Sequence, residues 1–150
     1  MNVEHYYEVE VDWVKDRVGV LHSPELDDKM RVATPPQFPK GIEKVWSPEH
    51  LFTAAVNSCL MTTFLAIAEN SKLDFEDFSS KALGKLEVVD KKYLMTEVTL
   101  MPRVTIGKED DRERTLSILK KSEAACLISN SIKSQIKFKP EILVKSKAAA

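Results

Sequence analysis

With 150 residues, 43% hydrophobic and 30% charged, the chain has the length and mixture of one globular domain rather than of a disordered or membrane protein. Its 22 Lys and Arg nearly match 23 Asp and Glu, so a net charge of −1 offers no general attraction for a polyanion and argues against nucleic acid as a partner. A chain of this size buries roughly 70% of its unfolded surface around one core, and with no internal repeat the expectation is a single domain over residues 1–150.

The opening Met1-Asn2-Val3-Glu4-His5-Tyr6-Tyr7 has neither the basic region nor the apolar run of a signal peptide, which predicts a cytoplasmic protein. From Glu8 to Val14 polar and apolar residues alternate, giving a half-buried strand with Val9, Val11 and Trp13 on one face. Val18–His22 and Lys29–Ala33 read as its partners across the turn-prone Ser23-Pro24, so the first third is an antiparallel meander closed by Pro35-Pro36. Residues 35–45 carry three prolines and Gly41 and form a loop.

Ser47-Pro48-Glu49 is a helix start, with serine as N-cap, proline at the first helical position and an acid in the first turn. The helix is expected to run to about Asn70. Its apolar residues surround nearly the whole circumference, so it must be covered on most sides, and one small sheet covers only one of them. A second subunit is therefore expected against the rest. Asn57, Ser58 and two threonines interrupt the apolar run short of the ~20 residues of a membrane span, and no membrane partner is expected.

Leu83–Val89 and Leu94–Ile106 read as strands joined at Asp90-Lys91-Lys92. A second helix starts near Asp110 and carries Leu116, Leu119, Ala124, Ala125 and Cys126. Gln135–Lys139 alternates again and ends the sheet, and residues 146–150 are expected to fray.

Cys59 and Cys126 both fall among small and apolar residues in helical stretches, 67 positions apart. Free cysteine packs as a small hydrophobe and is often fully buried, so two core thiols are one reading and a redox couple is the other. A cytoplasmic setting favours thiols or a transient disulfide over a permanent one. Neither cysteine belongs to a Cys-x-x-Cys pair, and His5, His22 and His50 show no zinc spacing, so no metal site is expected.

The run Trp46-Ser47-Pro48-Glu49-His50-Leu51-Phe52-Thr53-Ala54-Ala55-Val56-Asn57-Ser58-Cys59 resembles the signature of the OsmC/Ohr family of thiol peroxidases, as does Cys126-Leu127-Ile128-Ser129-Asn130-Ser131. The element order resembles the family over nearly the whole chain. That resemblance implies an α+β fold in which an antiparallel sheet wraps central cysteine-bearing helices in an intertwined homodimer. It implies reduction of hydroperoxides, with Cys59 peroxidatic and Cys126 resolving, and an external thiol, such as that of a lipoyl protein, as reductant. It implies no metal, flavin or haem cofactor. An organic peroxide is favoured because Leu51, Phe52 and Met61 could line an apolar entry. Leu127 stands where some branches place proline, which leaves the branch open.

The nucleophile must be the thiolate, and burial in an apolar helix works against it. In the family an arginine on an early strand, held by the glutamate of the Ser-Pro-Glu segment, offsets that cost. Arg17 and Glu49 are similar in place. At ~4 Å and an effective dielectric near 20 a thiolate–arginine pair is worth about 4 kcal/mol before desolvation. Taken singly, Arg17 also reads as a solvated surface residue and Glu49 as an acid facing the helix dipole. On one continuous helix Glu49 and Cys59 would stand about 15 Å apart along the axis, so a shared pocket requires a break or a composite site with Arg17 and Glu49 from one subunit and the cysteines from the other. Two rivals remain: a non-catalytic binding or structural dimer, whose marks would be a solvent-facing Arg17 and distant sulfurs, and a thiol-based redox sensor.

Overall fold

The computed structural model describes residues 3–145; the expected fraying at residues 146–150 lies outside them. The chain divides into two compact units between Leu51 and Phe52.

The N-terminal unit is the expected meander: β1 (Glu10–Lys15), β2 (Val18–His22) and β3 (Met30–Ala33) pair antiparallel in chain order. Asp16 and Arg17 make the tight turn between β1 and β2, with Asp16 at a φ of 49°. Within this unit β1 is exposed along its whole length, Trp13 to 77%, where half burial is the sequence expectation. The alternation of Val9, Val11 and Trp13 marks a face made to be covered, and the N-terminal unit supplies nothing that covers it.

Ser47 caps the following helix, α1 (Pro48–Asn70), as its sequence predicts. Its hydroxyl accepts the His50 amide at 3.1 Å, its carbonyl accepts the Leu51 amide at 2.9 Å, and Pro48 has no amide to leave unsatisfied. The helix is unbroken over 23 residues. By length and composition alone it is long and apolar enough to cross a membrane, a test that core helices also pass. Only a stripe of it is buried, however: Val56, Cys59, Leu60, Phe64 and Ala68, spaced at three and four residues.

That stripe meets the sheet of the C-terminal unit. β4 (Asp77–Val89) and β5 (Lys92–Ile106) form a long antiparallel hairpin whose turn, Asp90-Lys91, holds two consecutive left-handed residues at φ 50° and 66°. Val98, Leu100, Val104 and Ile106 point to one face of β5 and are fully buried. Val56 and Leu60 pack with Val98 and Leu100, while Phe64 and Ala68 pack with Val104 and Ile106, so a four-residue period on the helix meets a two-residue period on the strand. Gly84 of β4 lets the helix approach, because a Cβ there would run into the Thr53 hydroxyl and the Met95 methyl.

A 3-10 turn over Glu109–Asp111 leads into α2 (Arg112–Ala125), which sets Ile118 and Leu119 into the same core. The expected second helix does not run through Cys126. It stops at Ala125, and a one-turn helix, α3 (Leu127–Asn130), begins anew after an extended Cys126 with φ −64° and ψ 111°.

The sheet does not end at Lys139. β6 (Gln135–Phe138) pairs parallel with Glu97–Leu100, and β7 (Glu141–Val144) continues along the same edge against Arg103–Ile106. The residues skipped between them include Pro102 and Pro140, neither of which has an N–H to give to a ladder. The class is α+β, but this second sheet is mixed rather than wholly antiparallel.

Candidate active site

Cys59 lies on the buried stripe of α1, and Cys126 lies in the joint between α2 and α3, fully buried. Both are free, and their thiols stand close enough to act on each other's ionisation. The fold thus brings together two residues 67 positions apart in the chain. The break at Cys126 makes this possible, since it releases the chain from α2 and turns the first amides of α3 inward.

The same break supplies the electrostatics. Burial pushes the Cys59 thiol up, but the Cys126 thiol, the Ile128 amide, the Thr63 hydroxyl and the Leu127 amide all hydrogen-bond to its sulfur and bring it below the ordinary value. Thr63 Oγ1 lies 3.9 Å from that sulfur. Cys126 moves the other way: burial raises it, the nearby Cys59 thiol adds to the rise, and Ser129 only moderates it. One sulfur is therefore prepared to be the anion and the other to keep its proton.

Sequence reasoning places the compensating charge on an arginine, whereas within the C-terminal unit neutral donors do the offsetting. Thr63, Leu127 and Ile128 carry no sequence signal for this role, two of them because they act through the backbone. Arg17 is exposed and sits in the β1–β2 turn, not on a strand. Glu49 is half-buried in the first turn of α1, and because the helix is continuous it stands about 15 Å along the axis from Cys59 of its own chain. Of the two marks of a non-catalytic dimer, a solvent-facing Arg17 is present in the N-terminal unit and distant sulfurs are not.

Phe52 packs beside Val56 and Leu60 in the core, and Met61 instead lines a groove of about 290 Å³ with Ala54, Asn57 and Phe78. Positions 57 and 61 share a helix face that Cys59, two residues from either, does not. His50 is a helix-start residue whose Nδ1 lies 2.6 Å from the Ser47 hydroxyl. Among the described residues no three His, Cys, Asp or Glu side chains stand together in a group able to hold a metal ion.

The OsmC-like protein family model matches residues 41–141, more than half of the chain, and spans both cysteines. The chain belongs to the OsmC-like family. It is 24% identical over 147 residues to the uncharacterized protein YmaD of Bacillus subtilis, covering 95% of this chain and 96% of that one. An OsmC-like protein of unknown function from Vibrio cholerae superposes with a TM-score of 0.82 at 21% identity, over 91% of this chain and 99% of that one. An organic hydroperoxide resistance protein, OsmC, from Legionella pneumophila superposes with a TM-score of 0.74 at 21% identity, over 95% of this chain and all of that one. These structural likenesses fix the OsmC-like fold, and they include proteins of hydroperoxide resistance.

Proposed function

We propose that this OsmC-like protein is a cysteine-based peroxidase that reduces hydroperoxides through Cys59 and Cys126. The observation that supports it most is the contact between two buried free thiols whose ionisation is driven apart. The Cys59 thiolate attacks the terminal oxygen of ROOH, the O–O bond breaks, and the leaving alkoxide takes a proton to give ROH and a Cys59 sulfenic acid. The Cys126 thiol then condenses with that acid, forming the S–S bond and releasing water. Two equivalents of an external thiol return both cysteines and leave as its disulfide, the exchange running through a mixed disulfide. Sulfur itself carries the oxygen, so the cycle calls on no metal, flavin or haem.

The reading includes a homodimer in which Arg17 and Glu49 of one subunit serve Cys59 of the other. Two features support it: the apolar face of β1, exposed within its own unit, and the unbroken helix that holds Glu49 away from the sulfur of its own chain. A reducing cytoplasm suits two such thiols.

The test is to count free thiols after one equivalent of cumene hydroperoxide or of hydrogen peroxide. Loss of both thiols per chain, with alcohol released and full recovery on adding dithiol, is expected, and faster loss with the organic peroxide would assign it as the substrate. Retention of both thiols with either oxidant would leave a structural dimer as the better account.

A further inference from the structure

A hydroxyl inside a helix ordinarily donates back to a carbonyl one turn earlier. Ser58 and Thr62 on α1 do so, to Ala55 and Cys59, and Thr115 and Ser122 on α2 do so, to Asp111 and Ile118. Thr63 departs from this pattern. Its Oγ1 faces the Cys59 sulfur at 3.9 Å and makes no other hydrogen bond among the described residues. One turn along the helix, position 63 lies on the same face as position 59, so the backbone itself aims this hydroxyl at the sulfur.

We propose that Thr63 is a positioning residue for the Cys59 thiolate. The Leu127 and Ile128 amides hold the sulfur from the α3 side, and the Thr63 hydroxyl holds it from α1. A cysteine side chain has one free rotor, and donors from two elements fix it, which holds the sulfur in one orientation for the incoming oxygen. A second consequence is electrostatic: a hydroxyl that donates to the anion favours ionisation. The kinetic part of this role rests on the peroxidase reading, and the effect on the sulfur does not.

Thr63→Val keeps the shape and removes the donor, while Thr63→Ser restores the donor and loses a methyl. Each is compared with the native chain by site-resolved iodoacetamide labelling of Cys59 across pH and by the rate of its oxidation by cumene hydroperoxide, with thermal unfolding as a check on the fold. Thr63→Val should shift the labelling midpoint to higher pH and slow oxidation about tenfold at neutral pH. Part of the slowing should persist at alkaline pH, where the thiolate is formed in both proteins, because orientation is still lost. Thr63→Ser should recover both. If the native chain consumes no peroxide but the labelling shift and its rescue by serine are seen, the peroxidase reading fails and the role of Thr63 on the sulfur stands. An unchanged midpoint in Thr63→Val, or a Thr63→Ser variant as impaired as the valine, overturns the proposal.

Discussion

The Cys59 and Cys126 thiols stand within each other's reach, and this one contact moves the two groups in opposite directions, lowering Cys59 and raising Cys126. Two thiols in contact titrate as a pair, and the asymmetry comes from their surroundings. Amides from the start of α3 serve Cys59, and deeper burial keeps Cys126 neutral.

The first ionisation of the pair should therefore rest on Cys59. Iodoacetamide with mass-spectrometric site assignment should label Cys59 with a midpoint below that of an ordinary thiol, and Cys126 should stay slow until well above it. Cys59 has its ionisation depressed, so its reactivity is present above the midpoint and falls about tenfold per pH unit below it. Cys126→Ala removes the donor and should move the Cys59 midpoint up, whereas Cys126→Ser keeps a donor and should move it less. Equal midpoints for the two cysteines in the native chain would contradict the assignment.

Roles in the catalytic cycle can be separated with the same variants. Cys59→Ser should abolish peroxide consumption, with a loss of at least about a thousandfold, the scale expected when a covalent nucleophile is removed. Cys126→Ser should consume one equivalent and stop, leaving a sulfenic acid on Cys59 that dimedone traps as a mass adduct. A Cys126→Ser protein that never oxidises would reverse the order of attack.

Two glycines of the C-terminal unit should respond to alanine with opposite sign. At Gly84 the added methyl meets Thr53 of α1 and Met95 of β5, so Gly84→Ala should overpack the helix–sheet contact and cost about 1–3 kcal/mol. At Gly107 the nearest atom is Glu76 Oε1 at 3.6 Å, the end of a flexible side chain, and the backbone is not left-handed. Gly107→Ala should be neutral or stabilise by about 0.4–1 kcal/mol through the unfolded chain. Urea unfolding of both variants checks this, and equal shifts of the same sign would mean that α1 does not press on β4 as described.

The parts of this molecule that were legible in the sequence are those that local rules dictate. Ser47-Pro48 starts α1, and the apolar positions on either side of Asp90-Lys91 mark the β4–β5 hairpin. β7 escaped because Lys139-Pro140 ends the alternation of Gln135–Phe138, and the short Glu141–Val144 segment becomes a strand only by using the free edge of β5 beyond Pro102. The break at Cys126 escaped because Ala124-Ala125-Cys126-Leu127-Ile128 has neither glycine nor proline to announce it. With it went the amides that serve Cys59, since backbone donors leave no residue-type signature. Periodicity in β1 reports correctly that one face is to be buried, but it does not say against what, and the N-terminal unit leaves that face open.

That open face and the position of Glu49 lead to the prediction that joins assembly to mechanism. If Arg17 and Glu49 of one subunit stabilise Cys59 of the other, Arg17→Ala should raise the Cys59 labelling midpoint and slow peroxide reduction by more than about tenfold, the equivalent of some 1.4 kcal/mol. Arg17→Ala and Cys59→Ser homodimers would then each be impaired for different reasons. In a mixed dimer, one pocket combines the sound cysteine of the first chain with the sound arginine of the second, and the other pocket lacks both. Activity should therefore reappear on subunit exchange, at about half that of the native dimer, with mixed dimers verified by differential tags and native mass spectrometry. Verified mixed dimers that remain inactive would place arginine and cysteine in the same chain. A fully active Arg17→Ala homodimer would leave the neutral donors at Cys126, Ile128, Thr63 and Leu127 to support the thiolate, and Arg17 as an exposed residue of the β1–β2 turn with no part in the chemistry.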